Sequence, residues 1–252
     1  MKIAFFPGCM VDMFYPEVGM AAVRVLERLG CEIILPDDQV CCGQPLFNSG
    51  FGKQAEPMMR QIIDAYQGYD TIVSLSGSCA YAIKEEYPHF VGGKGEYAEK
   101  LAAISSRIYE FTEFIVDVLG VTDVGAQLDG TVTYHKSCHL TRLLGIERQP
   151  LALLDGVSGL QYVEMEAADR CCGFGGTFSV KEPEISEQIV REKVKCALAT
   201  GADYLCGADQ ACLMNIKGCL DRMRETGETT SSMQVVHIAQ ILDARGSIQK
   251  GA

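Results

Sequence analysis

The sequence predicts an α/β protein built from two equivalent halves, each with a parallel sheet and with cysteines at the carboxyl ends of its strands. Three observations lead there. Short apolar runs alternate with longer amphipathic ones along the chain, as strands alternate with crossover helices. A cysteine frame occurs twice, C-x31-CC-x36-C (Cys9, Cys41, Cys42, Cys79) and C-x32-CC-x39-C (Cys138, Cys171, Cys172, Cys212). Within each half the lone and paired cysteines follow the first, second and third predicted strands.

The elements read as follows. Ile3–Phe6 is a continuous apolar run and reads as a buried strand, closed by Pro7 and Gly8. Val18, Ala21, Ala22, Val25, Leu26 and Leu29 recur at helical spacing, so Pro16–Leu29 is predicted helical, with Gly30 as its stop. Glu32–Leu35 is a second strand, 54–66 a second helix and Thr71–Leu75 a third strand. A helix is expected over Cys79–Glu86, ending before Pro88 because proline breaks the hydrogen-bond ladder. A long helix over about 97–119 is expected to join the halves. The order then repeats: strand Val132–Tyr134, helix Gln149–Leu154, strand Tyr162–Met165, helix Glu184–Thr200 stopped by Gly201, strand Tyr204–Cys206, helix Gln210–Arg224, and a last strand and helix within Val235–Arg245. Without a Pro-, Gly- or Ser-rich linker, the halves are expected to pack closely, as domains 1–125 and 126–252.

Composition narrows the function. The formal net charge of −11 disfavours nucleic acid, whose phosphates attract the opposite sign. No apolar run reaches the roughly 20 residues that span a bilayer, and the apolar N-terminal run is too short for a signal peptide. A cytoplasmic location is expected, where thiols stay reduced. Twelve cysteines in a reduced compartment point to metal binding or redox chemistry rather than a disulfide framework. Loops after the strands of a parallel sheet share one edge, so each set of four thiols is predicted to converge there. Helices that begin after these cysteines aim N–H groups at the same edge and favour thiolate.

Adjacent cysteines on an extended strand point to opposite sides. Sharing one site requires a turn, and Gly43 and Gly173 supply the freedom for it. Paired thiolates suit a polynuclear iron–sulfur centre, each sulfur taking a different iron. Mononuclear zinc sites usually space cysteines by two to four residues, and no C-x2-C occurs here. An iron–sulfur cluster is the leading cofactor, with zinc second.

These residues carry a resemblance. The frame, with the tracts Phe6-Pro7-Gly8-Cys9, Glu17-Val18-Gly19, Cys41-Cys42-Gly43-Gln44-Pro45, His135-Lys136-Ser137-Cys138-His139-Leu140 and Cys171-Cys172-Gly173-Phe174-Gly175-Gly176, resembles the cysteine-rich CCG-domain family. That domain occurs twice in the heterodisulfide reductase B subunit and in the glycolate oxidase iron–sulfur subunit. The chain looks like a stand-alone, two-domain member serving lactate oxidation. The resemblance implies Rossmann-like halves and the electron-transfer subunit, without flavin, of an L-lactate dehydrogenase complex that forms pyruvate. It implies partner subunits that carry ferredoxin-type clusters, and a cluster of [4Fe–4S] type held by the eight frame cysteines. The fullest family motif ends in C-x2-C, but the fifth positions here are Ala82 and Asn215, neither of which offers a thiolate. Four-thiolate clusters in both halves, one occupied half, or zinc in one half all remain open. Two other functions compete: thiol–disulfide redox chemistry like that of heterodisulfide reductase, and a zinc-stabilised scaffold.

His135 and His139 flank Cys138 and are expected to support the site by hydrogen bonds to sulfur rather than to ligate metal. Arg142 is expected to face an anion, a carboxylate or solvent. Cys31, Cys196, Cys206 and Cys219 lie outside the frame and are expected to pack as small apolar residues, and His89 and His237 to be structural. The Gly173–Gly176 run matches neither dinucleotide nor phosphate fingerprint and is expected to turn backbone N–H groups toward sulfur. Asp12, Asp37 and Asp38 are expected to be solvated.

Overall fold

The computed structural model describes residues 1–91, 93 and 95–248, so the predicted end of the second domain at residue 252 lies outside them. Two four-stranded sheets, parallel throughout, repeat one topology. The first contains β1 (Lys2–Phe6), β2 (Glu32–Ile34), β3 (Ile72–Ser74) and β4 (Ile108–Glu110), in the order β2-β1-β3-β4. The second contains β5 (Gln127–Tyr134), β6 (Ser158–Tyr162), β7 (Tyr204–Gly207) and β8 (Gln234–His237), in the order β6-β5-β7-β8. The predicted fold class is therefore found. In this order the chain leaves β1 toward one side and returns to β3 on the other, opening a crevice at their carboxyl ends. Cys9 follows β1 and Cys79 follows β3; Cys138 and Cys212 follow β5 and β7 in the same way.

Side-chain alternation along the strands builds three apolar layers. Ile3 and Phe5 of β1 face an inner core, while Ala4 and Phe6 face an outer one with Met59, Ile62 and Tyr87. Val132 and Tyr134 of β5 enter the same inner core, and Leu205 of β7 faces an outer core with Val190, Val194 and Ile216. The inner core is thus common to both halves. Among its helices are Pro16–Arg28 and Ile238–Asp243, which pack on each other across the molecule.

Charge pairing fixes that contact. Asp243, 5% exposed, accepts from Arg24 Nε at 2.7 Å and from Arg28 Nη2 at 2.9 Å. Arg28 also donates to the carbonyls of Val124 and Leu242. At the start of the same helix, His237 is fully buried, and its Nδ1 accepts from the Ala239 N–H at 3.2 Å. An imidazole that accepts at Nδ1 and sits away from water resists protonation, and burial lowers the His237 pKa to about 4.

Four departures from the sequence reading have physical reasons. The expected helix over Cys79–Glu86 begins at Gly77 and runs on through Pro88 to Val91. Widened π-turns over Ala82–Glu86 have already displaced the regular ladder there, so Pro88 removes little. The expected long helix over 97–119 is two helical stretches divided by β4, which pairs with β3 through Ile108 and Tyr109. Burial of Ile108 and Glu110 outweighs the helical pattern on either side. The strand expected over Tyr162–Met165 is instead β6, sharing only Tyr162. β6 is an edge strand with exposed or half-buried side chains, so apolar content did not mark it. Finally β5 starts at Gln127, five residues earlier than predicted, because its first residues pair with β6 at the solvated rim.

Two stability measurements follow. Asp243→Ala strands two guanidinium groups at the seam and is expected to lower the unfolding free energy by about 3 kcal/mol, read from the urea midpoint. His237 is neutral when folded and has an unfolded pKa near 6.5, so its contribution is present above that value and lost as pH falls toward about 4. Between pH 7 and 5 the native chain should lose about 2 kcal/mol more than His237→Gln. Equal pH dependence of the two would contradict the buried neutral imidazole.

Candidate metal centres

In the first half the four frame thiols meet at the carboxyl edge of β1 and β3. Cys9 Sγ lies 3.6 Å from Cys41 Sγ, and Cys42 Sγ lies 3.4 Å from Cys79 Sγ. The adjacent pair reaches both partners because the chain turns at Gly43, whose φ of 84° is left-handed. A Cβ there would stand 3.2 Å from Ala55 and Phe47, so the turn is also closely packed. Tyr87 holds the loop, its hydroxyl donating to the Cys42 carbonyl at 2.9 Å. Ser76 caps the helix that carries Cys79, accepting from the Cys79 N–H at 3.3 Å.

The electrostatics follow from crowding. Cys41 accepts hydrogen bonds from the Cys42 and Cys9 thiols, which pull its pKa down to about 3. Those donors are pushed up in turn, Cys9 by its bond to Cys41 and by burial, Cys42 by its bonds to Cys41 and Cys79. Without metal, one thiolate is solvated by its neighbours' protons. A cation would displace those protons, as thiolate ligation requires.

The second half repeats the layout with differences. Gly173 makes the turn with a φ of 79°, and its N–H donates to Cys171 Sγ at 3.3 Å. The Cys172 thiol interacts with both Cys171 and Cys212. His135, at the end of β5, joins Cys172 and Cys212: one donor atom from each lies within 4.8 Å of the others. His135 is 1% exposed, and burial drives its pKa down to about 3, with the Lys193 ammonium adding to the effect. The Ala168 carbonyl nearby pulls the other way, but neither ring nitrogen reaches a hydrogen-bond partner. His139 stands apart from this group. Its Nε2 accepts from the Gln44 amide at 3.0 Å, so Nδ1 carries the proton and faces Cys138 Sγ at 3.5 Å.

The first set of thiols opens toward the second half. A cavity of about 80 Å³ is lined by Cys9, Cys41, Cys42 and Cys79 from one half and by Phe174 and Asp209 from the other. Asp209 Oδ2 crosses over to accept from the Ser78 N–H at 3.1 Å and from Ser76 Oγ at 3.4 Å. Ser49 and Thr177 bond at 2.5 Å, and Leu140 packs where a Cβ on Gly77 would clash at 2.8 Å. Asp209, Ser76, Gln44 and Lys193 were not picked out as functional in the sequence. Asp209 lies three residues before Cys212, as Ser76 lies before Cys79, so superposing the two frames would have found that pair.

At the fifth positions, Ala82 is buried in the outer core, and Asn215 donates to the Cys172 carbonyl at 2.8 Å. Cys31 and Cys206 are buried in the inner core; Cys196 and Cys219 pack against the second outer core. Arg142 pairs with Asp169 at 3.3 Å, while Asp12, Asp37 and Asp38 are exposed.

Comparison with known proteins places these features. A family model described as "Cysteine-rich domain", CCG, matches residues 3–84 and again 132–217. Lactate utilization protein A of Bacillus subtilis (strain 168) is 49% identical over 245 residues, covering 97% of this chain and 100% of the relative. Lactate utilization protein A 1 of Bacillus cereus (strain AH820) is 50% identical with the same coverage. Among solved structures, a hypothetical protein from Helicobacter pylori superposes with a TM-score of 0.64 at 10% identity. That match covers 96% of this chain but 48% of the other, and bears on the fold alone. With both halves matched and near-complete relatives at half identity, the chain belongs to the cysteine-rich CCG-domain family, whose domain it carries twice.

Proposed function

We propose that the chain is an iron–sulfur redox subunit of a multi-protein complex that oxidises L-lactate to pyruvate, with one cysteine-ligated centre in each of domains 1–125 and 126–252. The observation that carries this reading is the convergence of thiols from three separate crossings of the first sheet, echoed in the second by Cys171 and Cys172 meeting Cys212. The relatives' printed names supply the lactate role.

The donor set fits a metal. Two sulfurs bound to one ion at about 2.3 Å and a tetrahedral angle stand about 3.8 Å apart. The Cys9–Cys41 and Cys42–Cys79 separations, 3.6 and 3.4 Å, are close to that and far from a disulfide, while a cluster that gives each sulfur its own iron needs wider spacing, so these thiols would move apart on taking one up. Cys9, Cys41, Cys42 and Cys79 would hold the first centre, and Cys138, Cys171, Cys172 and Cys212 the second. An iron–sulfur cluster supplies a one-electron couple when bound. Oxidation of lactate to pyruvate releases two electrons and two protons, and two one-electron centres match that count. Partner subunits with ferredoxin-type clusters would carry electrons onward.

The chain's own groups set the surroundings. Gly173 N–H and His139 Nδ1–H approach sulfurs, and hydrogen bonds to cluster sulfur favour the reduced, more negative state. Gly43 and Gly173 hold the paired cysteines in their turns. Burial of Cys42, Cys79, Cys172 and Cys212 keeps water from the inner side.

Protein purified without oxygen should contain iron and acid-labile sulfide and give a paramagnetic signal on reduction. Cys41→Ser should remove about half the iron, with one signal lost and the other kept, and Cys171→Ser should do the reverse. Colourless protein lacking both elements would sink the proposal, and stoichiometric zinc without a redox response would favour a scaffold. Gly173→Ala forces a side chain into left-handed backbone, 2.7 Å from the Ser186 carbonyl. It should cost about 2 kcal/mol of stability in a thermal melt, and metal from the second half.

A further inference from the structure

The two frames differ at one position that faces the thiols. Phe6 lies three residues before Cys9, and His135 lies three before Cys138. Phe6 ends β1 and His135 directly follows β5, the corresponding strands of the two sheets. Phe6 packs in the outer core with Cys42 and Cys79 and meets the Tyr66 ring edge-on at 5.6 Å. His135 occupies the matching place beside Cys172 and Cys212. A phenyl ring needs nothing there. A buried imidazole with two unbonded nitrogens has given up its hydration and gained no partner.

We propose that His135 is an inner ligand of the second-half metal centre, donating a ring nitrogen beside Cys172 and Cys212 and giving that half a donor set the first half cannot build. The inference rests on the metal-binding reading above and goes beyond the supporting role expected for this histidine from sequence. Three features support it. The ring nitrogen and two sulfurs form the only such group of three within 4.8 Å among the described residues. The imidazole is unpartnered and 1% exposed, so no water competes for it. The fifth position, which could have supplied another donor, is Asn215, and its amide is committed to the Cys172 carbonyl. The first half has no counterpart: Phe6 and Ala82 fill the corresponding places with carbon. The consequence is chemical asymmetry, with nitrogen and sulfur at one centre and sulfur alone at the other.

The test uses the full chain, purified without oxygen in the Cys41→Ser background, so that the second half gives the signal. Iron, zinc and acid-labile sulfide are counted first. With iron present, electron–nuclear double resonance of the reduced protein should show a strongly coupled nitrogen that shifts with isotope-labelled histidine. That coupling should persist in His139→Gln and vanish in His135→Phe, which copies the first half, and in His135→Cys, which keeps a ligand. With zinc present, X-ray absorption at the zinc edge should show nitrogen beside sulfur and lose it in the same two variants. Iron with sulfide but no coupled nitrogen, or zinc with sulfur alone, would overturn the inference and leave metal binding standing. A metal-free second half would overturn both.

Discussion

Parallel pairing is the constraint on which the rest depends. Each crossover returns the chain to the same edge of its sheet, so residues 9, 41, 42 and 79 meet although long stretches of sequence separate them. The β2-β1-β3 order opens the crevice between the first and third crossings, and the lone cysteines fall on its two lips. The paired cysteines enter from the second crossing, and their left-handed glycine lets both sulfurs face inward. An antiparallel arrangement of the same strands would send alternate loops to opposite ends and disperse the thiols.

A second level of organisation joins the halves. The shared inner core, the Asp243 pairing with two arginines and the Asp209 bonds to Ser76 and Ser78 hold the two edges against each other. The seam is polar where it meets the thiols and apolar behind them. The halves are equivalent in topology but not in chemistry. Phe6 is matched by His135, Ser76 by Asp209 and Ala82 by Asn215. Behind the second site lies Lys193, fully buried, its ammonium donating to the carbonyls of Ala167 and Ala168. Burial brings its pKa down to about 8. A positive charge held there would offset the negative charge of thiolates at this site.

Much of this was legible in the chain, and what was not has a common cause. β1, β3 and β7 are buried on both faces and announce themselves as apolar runs, while β6 is a solvated edge strand made by pairing rather than burial, and β4 is a short buried strand hidden between two helical patterns. The frame cysteines could be named because their spacing repeats, and the glycines because adjacent thiols need a turn. Contacts across the seam, such as Gln44 with His139, depend on how two folded halves dock, which no local pattern encodes. His135 was visible as a candidate, but its isolation from every hydrogen-bond partner emerges only when the strand end is buried. Asp209 was hidden for a simpler reason: its meaning lies in the offset it shares with Ser76.

The most direct measurement of the central claim is anomalous scattering at the iron absorption edge from crystals grown without oxygen. Two iron positions or clusters are expected, one enclosed by Cys9, Cys41, Cys42 and Cys79 and one by Cys138, Cys171, Cys172 and Cys212. Iron peaks away from the carboxyl edges of the two sheets, or none in crystals of protein that binds iron in solution, would contradict the account.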